Sequence, residues 1–518
     1  MIVFEWIVGI LLIAVLLSQV AKRIGAPYPA LLALGGAVLA FVPGAPRIVL
    51  EPELALALFL APVLLDAAYD TSPRDLRDNW IPVTCLVLVA VGLTTAAVAI
   101  VAHMLTGMPW AAAIALGAIV APPDAAAATA VLRQVRLPHR ILTILEGESL
   151  LNDASALLIY RGAVTAASAT TFSFAHAAPT ALLSVVGSLI LGPLLALLWL
   201  RVVAGLRRSG DTPTNIILQF VSTFGVWLLA DRIGLSGVLT IVAYAITLAR
   251  QAPASVPASL RVPSYAVWET TVFVLNVLAF VLIGLQVGPI VENLRIEQRV
   301  SYLGVACAVL ATVIFVRIAW VMSYNTVVRW HIRRYGYRPP RPMSPPTVKG
   351  GIVISWCGMR GIVTLATALA LPDGDDGATF PYRDLIVFTA FCVVFGTLVL
   401  QGLTLRPLLL RLNLQDDDPV AREIEKARKV AYSAAIATLR GNTSPLAEAL
   451  RTALEASIAR SGDARGLQGR ESSPPGLRIL AVDAARRALL DMRSGGEIGD
   501  DAFHRLEEEF DRLELSAM

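Results

Sequence analysis

Residues 145–153 read Leu-Glu-Gly-Glu-Ser-Leu-Leu-Asn-Asp, in the middle of a long apolar run. Ser149, Asn152 and Asp153 stand at i, i+3 and i+4, so on a helix they share one face. A hydroxyl, an amide and a carboxylate together make a hard-oxygen site suited to a small alkali cation or a proton. Glu148 lies beside that face and needs a cationic partner. An ionised side chain at the centre of a membrane helix costs ~2.5–3.5 kcal/mol by insertion scales, so each is a functional candidate. The others in apolar runs are Asp66, Asp124, Glu269, Arg317 and Arg360. Glu5, Arg161 and Asp231 lie nearer segment ends, where snorkelling explains them. The five histidines are scattered, and Cys85, Cys307, Cys357 and Cys392 each stand alone, so neither a transition-metal site nor a cofactor is expected. Ser149 has no GxSxG elbow around it and no histidine in a facing segment, which removes a hydrolase reading.

Composition says what must position these residues. Of 518 residues, 56% are hydrophobic and 16% charged. A soluble domain carries roughly 25% charged residues, so this chain reads as a membrane protein. Residues 1–414 hold 28 Lys/Arg against 20 Asp/Glu, whereas residues 415–518 hold 15 against 19. Two domains follow: an all-α polytopic membrane domain over 1–414 and a helical tail over 415–518. The overall charge of +4 implies no nucleic-acid partner.

A spanning helix needs ~20 largely apolar residues. Candidates fall near 2–21, 29–46, 52–70, 80–104, 110–133, 140–166, 178–204, 213–231, 235–250, 264–290, 300–328, 347–371 and 384–411, about thirteen in all. The first lacks a basic leading region and a small-residue cleavage site, so it is kept as a span rather than a signal peptide. Loops after odd-numbered spans carry most basic residues, from Lys22 and Arg23 to the cluster between Arg329 and Lys349. The positive-inside rule then puts the N-terminus outside and the tail in the cytoplasm.

Two spans are interrupted. The fifth contains Pro122-Pro123-Asp124, and the twelfth contains Gly358-Met359-Arg360-Gly361. If spans 1–6 and 8–13 are two units starting from opposite sides, the fifth member of each is broken. Paired broken helices in inverted repeats mark a transporter's midplane site.

The segments GESLLNDASALL and WCGMRGIVTLATALALP are specific, and LFLAPVLLDAAY and VLAFVLIGLQV add to them. Together they resemble the cation/proton antiporter-1 family, the NhaP and NHE type of sodium/proton exchangers, over the whole membrane domain. The resemblance implies a homodimeric exchanger with a dimerisation domain and a moving core. It implies that Asp153 binds the cation or protons in turn, that Asp124, Ser149 and Asn152 shape the site, and that Asp66 adds an acidic group. It pairs Glu148 with a helix arginine, for which Arg360 is the match and Arg317 the fallback. The family usually reads Thr-Asp-Pro in the broken helix. Here Pro123 replaces the threonine and offers a carbonyl but no hydroxyl, which leaves ion preference open.

The expected activity is antiport of a monovalent cation for H+ by competition at Asp153, serving pH homeostasis in a bacterial inner membrane. Sodium is the first choice, with lithium or potassium as alternatives. Asn152 stands where a second aspartate would add charge, so one proton per cation, electroneutral, is expected. A cation channel and a non-transporting sensor are the rival classes; counterflow and flux from purified protein separate them. The tail, with helices expected over 419–441, 445–460, 478–492 and 498–515 and a linker over 462–476, reads first as a solvated appendage, then as a regulatory or dimer-contact element.

Overall fold

The computed structural model describes residues 2–43, 51–132, 137–168, 174–206, 211–251, 257–292, 295–337, 339, 341, 343–373, 379–414, 418–459 and 475–515. The expected domain boundary at Gln415, most of the linker, and the loop arginines Arg47, Arg133, Arg136, Arg207, Arg208 and Arg338 lie outside these residues.

All regular structure among the described residues is helical. Seven helices are long and apolar enough to cross a membrane: Pro52–Asp70, Trp80–Thr106, Ala178–Val203, Thr212–Arg232, Ala258–Glu292, Gln298–Tyr335 and Arg383–Leu412. Shorter apolar helices cover Tyr28–Leu39, Trp110–Val120 and Gly237–Gln251. Leu182, Leu183, Leu189, Ile190, Leu194 and Leu198 point outward from one helix. A soluble protein does not leave such a stripe in water, but hydrocarbon accepts it. Two π-helical stretches, Leu56–Leu60 and Cys85–Ala90, lie inside the second pair of apolar runs. In the latter, the freed Val87 carbonyl accepts the Ser155 hydroxyl at 2.8 Å.

The main core joins Tyr28–Leu39, Trp110–Leu132, Ala258–Leu285, the long helix Ile296–Tyr335 and Arg383–Leu412. Helices Tyr28–Leu39 and Ala258–Leu285 approach closely within it, where Gly36 and Gly284 face each other's backbone with no room for a Cβ. A second cluster packs Gly237–Gln251 against Ala61–Asp70 and the helix carrying Trp227. The tail has its own core, built on Tyr432, Leu489, Phe503, Leu506 and Phe510. Its helices run Pro419–Leu439, Pro445–Ala459, Pro475–Ser494 and Asp500–Leu515. The tail is not a solvated appendage. It is fastened to the membrane domain by ion pairs at Arg74, His139 and Arg261.

Candidate functional site

Both interrupted segments break where the sequence indicates. Trp110–Val120 ends before Pro122 and Pro123, which have no N–H to continue the ladder, and Ala125–Leu132 begins after them. Val348–Trp356 ends at Cys357, and Ile362–Leu369 restarts after Gly361. The two breaks touch. The Asp124 N–H donates to Met359 O at 2.6 Å. A Cβ on Gly361 would run into the Asp124 carboxylate, so glycine is what lets the two chains approach.

Each break leaves helix ends with unsatisfied backbone groups and opposed dipoles. Asp124 caps the start of Ala125–Leu132, its Oδ1 accepting the Ala126 N–H at 2.9 Å. Arg360, 1% exposed, answers the opposite end: Nε donates to Val120 O at 3.0 Å and Nη2 to Ala121 O at 3.1 Å. It also donates to Gly358 O, while its own N–H reaches Thr397 Oγ1 at 3.1 Å. A guanidinium from one break therefore closes the carbonyl end of the other.

The buried ion pair corrects the expected partner. Glu148 is held by Arg317, not Arg360, through Nη1–Oε1 at 2.6 Å and Nη2–Oε2 at 2.9 Å. Arg317 Nη2 additionally reaches Ile354 O at 3.0 Å and Cys357 O at 3.2 Å, the carbonyl end of Val348–Trp356. Arg360 has the carbonyls of its neighbours and needs no carboxylate.

Helix His139–Ser168 brings the oxygen face to this crossing. Asn152 Nδ2 donates to Pro123 O at 2.7 Å, which ties the helix to the break. Asn152 Oδ1 is buried with no hydrogen-bond partner among the described residues, a spare acceptor beside Asp153. Asp153 is 8% exposed, and the Asp124 carboxylate lines the same cavity. A cavity of about 1640 Å³ runs past these groups, with Asp153, Asp124, Ser149, Pro123 and Asp66 in its wall. The structure thus gathers five of the expected residues around one space, with Asn152 directly behind them. Glu148 and Arg317 form a separate buried pair. Sequence reasoning passed over Asn276 and Thr364, which also line the cavity. Asn276, an amide in the apolar run Val-Leu-Asn-Val-Leu, was the available signal. It also missed three tail residues in the wall, Asp501, Arg505 and Glu508.

The family profile described as sodium/hydrogen exchanger, transmembrane, matches residues 8–411. The chain is 29% identical over 532 residues to a sodium, potassium, lithium and rubidium/H+ antiporter of Bacillus subtilis, covering 98% of this chain and 77% of that one. It is 34% identical over 421 residues to an uncharacterized Na+/H+ exchanger of Mycobacterium tuberculosis, covering 79% and 75%. Among solved structures, the sodium proton antiporter MjNhaP1 of Methanocaldococcus jannaschii matches with a TM-score of 0.62 at 17% identity, over 79% of this chain and 97% of that chain. At that identity the likeness carries the fold alone.

Proposed function

The chain belongs to the sodium/hydrogen exchanger family, and from that premise we propose that it exchanges a monovalent cation for H+ at Asp153. The observation that carries this reading is a buried carboxylate facing a cavity at the meeting point of two broken helices. A cation or a proton each neutralises Asp153, so the arrival of one expels the other. A bare carboxylate is expensive to carry through low dielectric, so only the loaded site crosses. Coupling follows from that penalty. Ser149 and Asn152 Oδ1 supply neutral oxygens to the cation, and Asp124 sets the field.

The finer reading is electroneutral exchange of one proton per cation by a chain of thirteen spans. Its halves are inverted repeats, its N-terminus lies outside, and its tail lies in the cytoplasm of a bacterial inner membrane. Two copies form the working unit. The contact between the Asp124 and Met359 breaks supports crossed repeats. Sodium is the first cation. A potassium-using reading is favoured by the broad cation range in the name of the Bacillus relative.

Purified protein in proteoliposomes, with a pH-sensitive dye and added sodium, lithium or potassium, tests the proposal. Cation-driven proton movement is expected in the wild type and none in Asp153→Asn, whose amide neither binds a proton nor balances a cation. Wild-type exchange by a folded Asp153→Asn protein overturns the mechanism, and current accompanying exchange overturns electroneutrality.

A further inference from the structure

Among the described residues, the lining of the cavity at Asp153 stops at one level. It follows helix His139–Ser168 from Leu142 to Asp153, and helix Thr212–Arg232 from Asn215 to Thr223, and goes no further along either. Lys22, Thr71 and Arg261, at the ends of other apolar helices, put its mouth on the face where those two helices approach it. Beyond Asp153 the way is closed. One apolar cluster holds Ala154 and Leu157 of the first helix with Val226 and Trp227 of the second and Val238 of Gly237–Gln251. The Trp227 ring lies over Gly237, where a Cβ would stand 3.0 Å from it. One turn further out, Arg161 Nη2 donates to Asp231 Oδ1 at 3.2 Å.

The order of these residues is regular. Asp153, Leu157 and Arg161 stand at i, i+4 and i+8, and Trp227 and Asp231 at i and i+4, so each helix carries its set along one face. Carboxylate, apolar layer and ion pair therefore succeed one another turn by turn. The two helices also sit in different clusters. Leu145, Tyr160 and Ala163 seat the first in the main core, whereas Val226 and Trp227 belong to the second cluster. The ion pair spans that division, with both side chains 52% exposed.

We propose that Leu157 and Trp227, with Arg161 and Asp231 outside them, form the gate on the face opposite the cavity mouth. It is shut while the mouth is open and parts when Asp153 is served from the other side. This rests on Asp153 being the transport site. A cation held there must leave on the far face for exchange to occur, and these two helices flank that way out. The apolar layer keeps the shut path impassable, because leucine, tryptophan and valine replace none of a cation's hydration. The ion pair adds a bias of limited size. An exposed pair shifts an equilibrium by about fivefold or less, since water takes over both charges when it breaks. That is small enough for the gate to open in every cycle. Because the pair joins two clusters and not two turns of one helix, it is lost when they move past each other, and its whole effect falls on the mouth-open state.

Cross-linking tests the gate directly. In the full chain with Cys85, Cys307, Cys357 and Cys392 replaced by alanine, Arg161→Cys and Asp231→Cys are joined by a short bis-methanethiosulfonate linker. Joining them should stop cation-driven proton movement, and dithiothreitol should restore it. Arg161→Gln tests the pair without a linker, with cation affinity read from each side in everted and right-side-out vesicles. Apparent affinity at the far face should strengthen by about two- to fivefold, while that at the mouth face stays level or weakens, because each scales with the fraction of protein open to that side. A merely structural role would weaken both. Arg161→Asp/Asp231→Arg should return both values to wild type. Cysteines that no linker joins, a joined protein that exchanges like the unjoined one, or an Arg161→Gln protein with unchanged affinity at both faces overturns the gate. A wild type that moves no cation in either kind of vesicle counts against the transport reading instead.

Discussion

Arg317 and Arg360 carry the same group a few ångströms from the same breaks, yet their environments assign them different work. Arg317 satisfies Glu148 and two carbonyls, so removing it strands a carboxylate that is 2% exposed. Breaking one half of such a pair typically costs ~3–5 kcal/mol. Arg317→Ala is expected to lower the melting temperature in detergent far more than Glu148→Gln/Arg317→Met, which removes both charges together. The double variant should recover only in part, because Ile354 and Cys357 lose their donor in both. Gly361 provides the sharper local test. Gly361→Ala puts a methyl into the Asp124 carboxylate and should abolish exchange, while Gly304→Ala, with nothing within 4 Å, should leave it intact. Asp153, Asn152 and Asp124 were legible in the sequence because carboxylates and amides in apolar runs demand a reason. The choice between two arginines was not. Both need anionic or carbonyl partners, Glu148 lies 169 residues from Arg317, and no local pattern reports which of them reaches it.

At the scale of elements, the site is four half-helix ends brought together by residues of opposite charge. Pro122, Pro123, Gly358 and Gly361 mark both breaks in the sequence, since missing donors and missing Cβ atoms are visible residue by residue. The contact between the breaks is a tertiary fact and had to be seen. It makes the role of Asp124 twofold, as a cap for Ala126 and, on the proposed mechanism, as a second carboxylate in the cavity that Asp153 lines. The two parts separate by substitution. Asp124→Asn keeps an oxygen for the Ala126 N–H and loses the charge, so its thermal stability should stay near wild type while cation affinity falls. Asp124→Ala loses both, and the missing cap should cost ~0.5–2 kcal/mol. Cation titrations of exchange beside melting curves check this; equal melting losses in the two variants would show that the charge, not the cap, supports the helix.

The whole molecule departs furthest from what its sequence suggests. The four tail helices lie close to where their amphipathic patterns put them, and the acidic helix Asp500–Leu515 has an ordinary solvated appearance on paper. Its partner Arg261 lies 250 residues away from Asp511, beyond anything periodicity can pair. Docking converts that helix into a shared wall, and with it buries His504 against Tyr69 and Asp70 of the membrane domain. Arg261 is 5% exposed and its partners Glu507 and Asp511 are 2% exposed. Arg261→Met strands both carboxylates, and leaving one half of a buried pair typically costs ~3–5 kcal/mol. The tail should then loosen while the membrane helices keep their packing. Limited proteolysis of the full chain checks this: faster cleavage of the tail is expected in Arg261→Met, and a rate equal to wild type would show that the pairs at Arg74 and His139 hold the helix alone.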